Sequence, residues 1–196
     1  MWRITQFLYN KLNKLESFSR GVDYDHFLNI YFRSDVTMPS VTKITRIVMT
    51  INNNAQNMKK KELKKFPIKL HITSLGGEVI PGLMCYDILN KSRLPIYIHG
   101  EGQICSAATL IFMAGHKRYM TEHSKMLIHQ LSSGVSGSFQ KITDNRYNCQ
   151  MLMDDIKKIY LDNSHISESE LNDLLNKNIY LSSKECLKYG FIDKIL

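Results

Sequence analysis

Two observations predict an α/β fold built from parallel β-α-β units. Runs that alternate apolar and polar residues recur along the chain, and between them lie stretches whose apolar residues fall at helical steps. At 196 residues the chain is long enough to bury a sizeable core and short enough for a single domain.

The elements follow in order. His26-Phe-Leu-Asn-Ile-Tyr-Phe32 reads as a strand. From Pro39 to about Asn52, Val41, Ile44, Ile47, Val48 and Ile51 recur at helical spacing, with Pro39 and Ser40 near the start. Ile68 to Ser74 is a strand that runs into Gly76-Gly77, and Val79 to Leu89 is a helix closed by Asn90-Lys-Ser92. Ile96 to His99 is a strand, Ala107 to Ala114 a helix, Lys117 to Met120 a short strand and Met126 to Gln130 another. Ser132-Ser-Gly-Val-Ser-Gly-Ser138 interrupts the pattern with small residues. A long helix is then predicted over roughly Phe139 to Asn163, carrying Ile142, Tyr147, Met151, Met153, Ile156 and Tyr160. A helix of that length reaches beyond a domain of this size, so much of its apolar face is expected to meet another subunit. No internal repeat or low-complexity stretch marks a second domain.

Composition bounds the function. Apolar residues make up 43% and charged residues 22%, ordinary for a globular chain. No apolar run approaches the roughly 20 residues of a membrane span. Cys85, Cys105, Cys149 and Cys186 form neither a close pair nor a metal-ligand cluster, which points to reduced thiols in a reducing compartment. Much of the net charge of +8 sits in Met58-Lys-Lys-Lys-Glu-Leu-Lys-Lys-Phe66. Aromatic residues do not interleave with those lysines as in a base-stacking platform, so the block reads as a solvated helix end and loop, with no nucleic-acid partner. There is no Gly-x-x-x-x-Gly-Lys-Ser/Thr loop, and no metal or nucleotide cofactor is expected.

The stretch that carries chemistry is Gly102-Gln-Ile-Cys-Ser-Ala-Ala108, which sets Ser106 between an apolar strand and an apolar helix. Unpaired N–H groups and the positive dipole end at a helix start favour a nucleophilic oxygen and a developing oxyanion. A serine hydroxyl needs a base to take its proton. His129, presented by Met126-Leu-Ile-His-Gln130, lies far enough along the chain for one helix and a return strand to bring it back. His71 and His99 in strands, His116 and His123 flanking a turn, and His165 in a loop are the structural alternatives.

Together these pieces resemble the Clp protease proteolytic subunits, the ClpP family of serine peptidases, over roughly residues 27 to 196. The family's Ser-Pro-Gly-Gly stands here as Ser74-Leu75-Gly76-Gly77, and its nucleophile segment as Gly102-Gln-Ile-Cys-Ser-Ala-Ala-Thr109. Its Met-Ile-His-Gln stands as Leu127-Ile128-His129-Gln130, and its C-terminal pattern as Asn178-Ile-Tyr-Leu-Ser-Ser-Lys-Glu-Cys-Leu-Lys-Tyr-Gly-Phe-Ile-Asp193. The resemblance implies the crotonase-like (ClpP/crotonase) spiral of β-β-α units with a protruding strand-helix handle. It divides the chain into an N-terminal segment and first helix (1–25) and one peptidase domain (26–196), made of a head (26–131), a handle (about 132–163) and a C-terminal part (164–196). It also implies stacked heptameric rings, homo- or hetero-oligomeric, with a separate AAA+ unfoldase as partner and unfolded polypeptide as substrate.

The same resemblance assigns Ser106 as nucleophile, His129 as base, and the backbone N–H groups of Gly77 and Ala107 as the oxyanion hole. Glycine suits that place because no Cβ keeps the substrate off the main chain. The third triad position, usually aspartate, is Asn178. An amide oxygen there accepts from Nδ1–H of His129, but it stabilises the imidazolium less than a carboxylate does. The leading expectation is therefore a slower or conditionally activated serine endopeptidase. The alternatives are a weakly active or inactive structural subunit of a Clp-type ring, and an acyl-CoA-binding relative of the same fold. The basic, acid-poor Met1-to-Leu15 stretch fits an axial segment and first helix, a partner-binding helix or an organelle presequence. The expected location is accordingly the cytoplasm, or an organelle matrix or plastid stroma.

Overall fold

The computed structural model describes residues 22–24 and 28–196. The expectations for the segment before Val22, and for the start of the strand at His26, lie outside the described residues.

Strand β1 (Val22–Tyr24) pairs antiparallel with β2 (Asn29–Phe32). From β2 the sheet continues in parallel through β3 (Ile68–Ser74), β4 (Ile96–Cys105), β5 (Lys117–Met120) and β8 (Lys194–Ile195). Off this path, β6 (Lys125–Leu127) runs parallel to β4, and β7 (Leu181–Ser182) pairs antiparallel with β6. The parallel core is the α/β arrangement that the alternating sequence pattern implies.

Period-2 patterning decides which face is covered. Ile68, Leu70 and Ile72 of β3 and Ile96 and Ile98 of β4 are buried. On the opposite face, Tyr31, His71 and His99 stack in sequence across β2, β3 and β4, the Tyr119 ring of β5 leans against His99, and all four stay half-buried. Helix α1 (Met38–Asn54) starts at a Thr37–Ser40 capping box with proline in its first turn, and buries Val41, Ile44, Ile47, Val48 and Ile51. Helix α2 is the single turn Lys60–Leu63 within the lysine block. Helix α3 (Val79–Asn90) packs against α4 (Ala107–Met113), and a Cβ on Gly82 would sit 3.1 Å from the Ala107 carbonyl oxygen, so glycine sets how closely the two helices approach.

Helix α5 (Phe139–Asp162) begins at the Ser138 cap. It buries only Ile156, Ile159 and Tyr160 near its end, and leaves Phe139, Ile142, Tyr147 and Met151 exposed. Helices α6 (Glu168–Leu175) and α7 (Ser183–Tyr189), each opened by a serine–glutamate capping box, complete the fold.

Two boundaries differ from the sequence reading. β4 does not stop at His99 but runs on to Cys105. Gly100 and Gly102 break the visible alternation while serving the strand. A Cβ on Gly100 would lie 2.7 Å from Ile104, and Gly102, at φ 70°, stands where β4 exchanges β5 for β6 as its neighbour. Conversely, β6 ends at Leu127. His129 and Gln130 lie beyond it because the Gln130 N–H donates to the Leu175 carbonyl of α6 instead of to a strand.

Candidate functional site

Both walls of the site are strand ends that turn into helices. β3 ends in Ser74, whose buried hydroxyl accepts from the Gly76 N–H at 3.1 Å and tightens the turn. Gly76 and Gly77 take φ of 97° and 146°. A Cβ on Gly76 would stand 2.6 Å from both the Cys105 carbonyl oxygen and the Ser106 Cβ, and one on Gly77 would stand 2.3 Å from the Val36 carbonyl oxygen. No larger residue fits either position. Val36 is bridged by donating to the Gly76 carbonyl and accepting from the Glu78 N–H, both at 2.8 Å, which leaves the Gly77 N–H out of that bridge. Leu75, where the family carries proline, is exposed.

The second wall is the turn at the end of β4. Ser106 holds φ 53° and ψ −130°, a conformation rare for any residue with a side chain. Its own N–H donates to the Leu127 carbonyl at 2.8 Å, and its carbonyl accepts from the N–H and the hydroxyl of Thr109. The Ser106 hydroxyl makes no capping bond and stays partly exposed at the helix start. Ala107 follows as the first residue of α4, where a backbone N–H has no partner within the helix.

These two walls and the segment after β6 enclose a cleft of about 370 Å³. Gly77, Ser106, Ala107 and His129 all line it, so the structure brings four of the five sequence-derived site residues to one place. Glu78, Val79, Ile80 and Pro81 from α3 and its approach, Leu110 of α4, Gln130, Leu131 and Ser132 after the histidine, and Ile156 and Tyr160 from α5 complete the lining. Sequence patterning placed Ile156 and Tyr160 only on the apolar face of a helix expected to meet another subunit, because helical spacing says nothing of what the last turns of a long helix face.

His129 and Ser106 share the cleft without a hydrogen bond between them. The His129 Nδ1 lies 2.7 Å from the Gln130 carbonyl oxygen. A carbonyl only accepts, so this bond places the proton on Nδ1 and leaves Nε2 as an acceptor, the tautomer a general base requires. Asn178 is the fifth residue. It is exposed, on the segment between α6 and β7, and lies apart from the cleft lining. Both flanks of that segment do touch the site. The Leu175 carbonyl takes the Gln130 N–H, and the Tyr180 side chain lies beside the thiol of Cys105, immediately before Ser106. Burial pushes that thiol up from its ordinary value, which keeps it protonated beside the serine.

Among the described residues, no group of three or more His, Cys, Asp or Glu side chains gathers to hold a metal ion. Nor does any described helix have the length and apolarity to cross a membrane.

Comparison with known proteins gives the family of the chain. The family model described as Clp protease matches residues 30–196. Over 131 residues the chain is 30% identical to the ATP-dependent Clp protease proteolytic subunit 2 of Treponema denticola, covering 66% of each chain. It is 31% identical over 137 residues to the protein of the same name from Bifidobacterium longum, covering 67% of this chain and 65% of that one. A third relative, the ATP-dependent Clp protease proteolytic subunit of Deinococcus radiodurans, is 29% identical over 131 residues, covering 66% of this chain and 64% of its own. The matched region thus spans slightly under two thirds of the length of these relatives.

Proposed function

The chain belongs to the Clp protease family, and on that footing we propose that it is a serine endopeptidase. In this reading it cleaves unfolded polypeptides to short peptides inside an oligomeric chamber fed by an AAA+ unfoldase. The observation that carries the proposal is the placement of Ser106, at a strained strand-to-helix turn, in one cleft with His129, Gly77 and Ala107.

The chemistry follows from those positions. The Ser106 hydroxyl gives its proton to Nε2 of His129 and attacks the scissile carbonyl. The N–H groups of Gly77 and Ala107 receive the negative oxygen of the tetrahedral intermediate. His129 then passes its proton to the leaving amine, and water repeats the sequence on the acyl-enzyme. Nδ1–H must stay paired throughout, or the imidazolium is unstable. In this reading Asn178 is the third member, its amide oxygen accepting Nδ1–H of His129 in place of the Gln130 carbonyl. The crotonase-like spiral, the handle built on α5 and the stacked heptameric rings belong to the same proposal. The exposed Phe139, Ile142, Tyr147 and Met151 support an intersubunit role for that helix.

One observation favours a second reading, a weakly active ring subunit. Asn178 is neutral, and it stands away from the cleft while Nδ1 is bound to backbone.

Labelling with a fluorophosphonate, mapping of the modified residue and sizing of the labelled particle test the proposal. Modification at Ser106 in a large assembly, lost in Ser106→Ala, is the expected outcome. A large assembly with no modification would establish the second reading instead.

A further inference from the structure

The main-chain geometry at Ser106 has a support that no sequence motif announces. The carbonyl of Ser106 and the N–H of Ala107 belong to one planar peptide unit, so fixing the direction of one fixes the other. That carbonyl accepts the Thr109 N–H at 2.9 Å and the Thr109 hydroxyl at 2.5 Å. The Thr109 hydroxyl has a single proton, already given to Ser106, so the hydrogen bond it shares with the Tyr160 hydroxyl must have tyrosine as donor. Thr109 is 0% and Tyr160 2% exposed, so water does not replace either bond. Burial also pushes the Tyr160 phenol up to about 12, so it remains a donor at any pH near neutral. The Tyr160 ring is itself fixed edge-on against Phe191.

We infer that Tyr160 and Thr109 are positioning residues for the oxyanion hole: the Tyr160 hydroxyl orients that of Thr109, which holds the Ser106 carbonyl and so aims the Ala107 N–H into the cleft. This rests on the serine-peptidase reading given above. Hydrogen bonds to a carbonyl also polarise the N–H of the same amide, which strengthens the donor where negative charge develops. The relay comes from the buried end of α5, whose other end carries the exposed apolar residues. The same helix reaches the other catalytic segment, since the Met153 sulfur accepts the Leu131 N–H, two residues after His129.

The test uses the whole protein, a fluorophosphonate concentration series and four variants. Thr109→Val and Tyr160→Phe keep shape and remove one hydroxyl each, the third carries both changes, and Thr109→Ser keeps the hydroxyl. Removing an oxyanion donor outright costs about 10²–10³ in rate, so misaiming one should cost roughly five- to thirtyfold. The loss should fall on the maximal acylation rate, with the probe's half-saturating concentration unchanged. Thr109→Ser should retain the wild-type rate, and the double variant should be no slower than Thr109→Val, since both act through one bond to Ser106. A wild-type acylation rate in Thr109→Val, or a loss confined to half-saturation, overturns the inference. If the wild-type protein is not acylated at all, the peptidase reading fails. Amide exchange across residues 104–110 then separates the two failures: faster exchange in Thr109→Val and Tyr160→Phe shows that the hydroxyl pair does hold the Ser106–Ala107 peptide although no oxyanion forms there, and unchanged exchange overturns the positioning role as well.

Discussion

Ser106 occupies its left-handed conformation without being glycine, and that costs stability. Backbone of this kind is worth of order 1–3 kcal/mol of strain, partly offset in a glycine variant by the greater freedom of the unfolded chain. Ser106→Gly should therefore raise thermal stability, by about 1 kcal/mol, while abolishing fluorophosphonate labelling. A melting temperature below that of wild type would show that the turn is not strained. The two glycines opposite behave in the other sense. Gly76→Ala drives a Cβ into the Cys105 carbonyl and the Ser106 Cβ, so the variant should lose labelling together with several kcal/mol of stability in chemical denaturation. At the third triad position, Asn178→Asp should raise peptide turnover near neutral pH, mostly through acylation. A carboxylate holds Nδ1–H and stabilises the imidazolium, and the loss of about 10⁴ seen on removing the acid from another serine peptidase sets the upper scale. Equal or slower acylation in Asn178→Asp would count against that assignment. If Asn178→Ala were also silent, His129 would work on the Gln130 carbonyl alone.

At the level of elements, α5 divides into a buried end and an exposed one, and the division selects the probe for assembly. Met151 is half exposed, whereas the Met153 sulfur accepts the Leu131 N–H beside the candidate base. Met151→Glu should thus shrink the particle in sedimentation without altering the melting of the subunit, while a charge at Met153 would disturb the site as well. A wild-type monomer at micromolar concentration and moderate salt would contradict an assembly role for this face. The same helix shows where the sequence was legible. Its length, its start after the Ser138 loop and its apolar spacing can be read directly, as can β3, α3, α4 and the two glycines. Which of its apolar residues meet the core cannot, because spacing defines a face and not what lies against it. The run of β4 through Gly100 and Gly102 was hidden for a related reason. Those glycines answer to Ile104 and to a change of neighbouring strand, contacts that no local pattern carries. Placing His129 with Ser106 required the family resemblance, since seven histidines offered themselves.

Across the whole molecule, two histidines make stability depend on acidity, His99 on the half-buried face of the sheet and His116 just before β5. Burial, followed by the neighbouring charges of His71 and Lys69, lowers His99 to about 4, with Glu101 opposing, and burial lowers His116 as well. The His116 Nδ1 accepts the Ile96 N–H, which only a neutral ring can do on that side. Groups lowered on folding bind protons more readily in the unfolded chain, so their contribution is complete above about 6.5 and is lost as pH falls toward about 4. The melting temperature should decline over that interval, and His99→Gln should flatten the decline. An unchanged slope in that variant would place the effect elsewhere. β4 bears on the molecule in another way. It bonds to β3 along its length and to β5 and β6 in turn, and it ends on the candidate nucleophile. Inserting or deleting one residue within it would turn every later side chain to the opposite face and break pairing with three neighbours at once. Length changes arising in evolution should therefore be tolerated in the small-residue stretch 132–138, which pairs with no strand, far more readily than within β4.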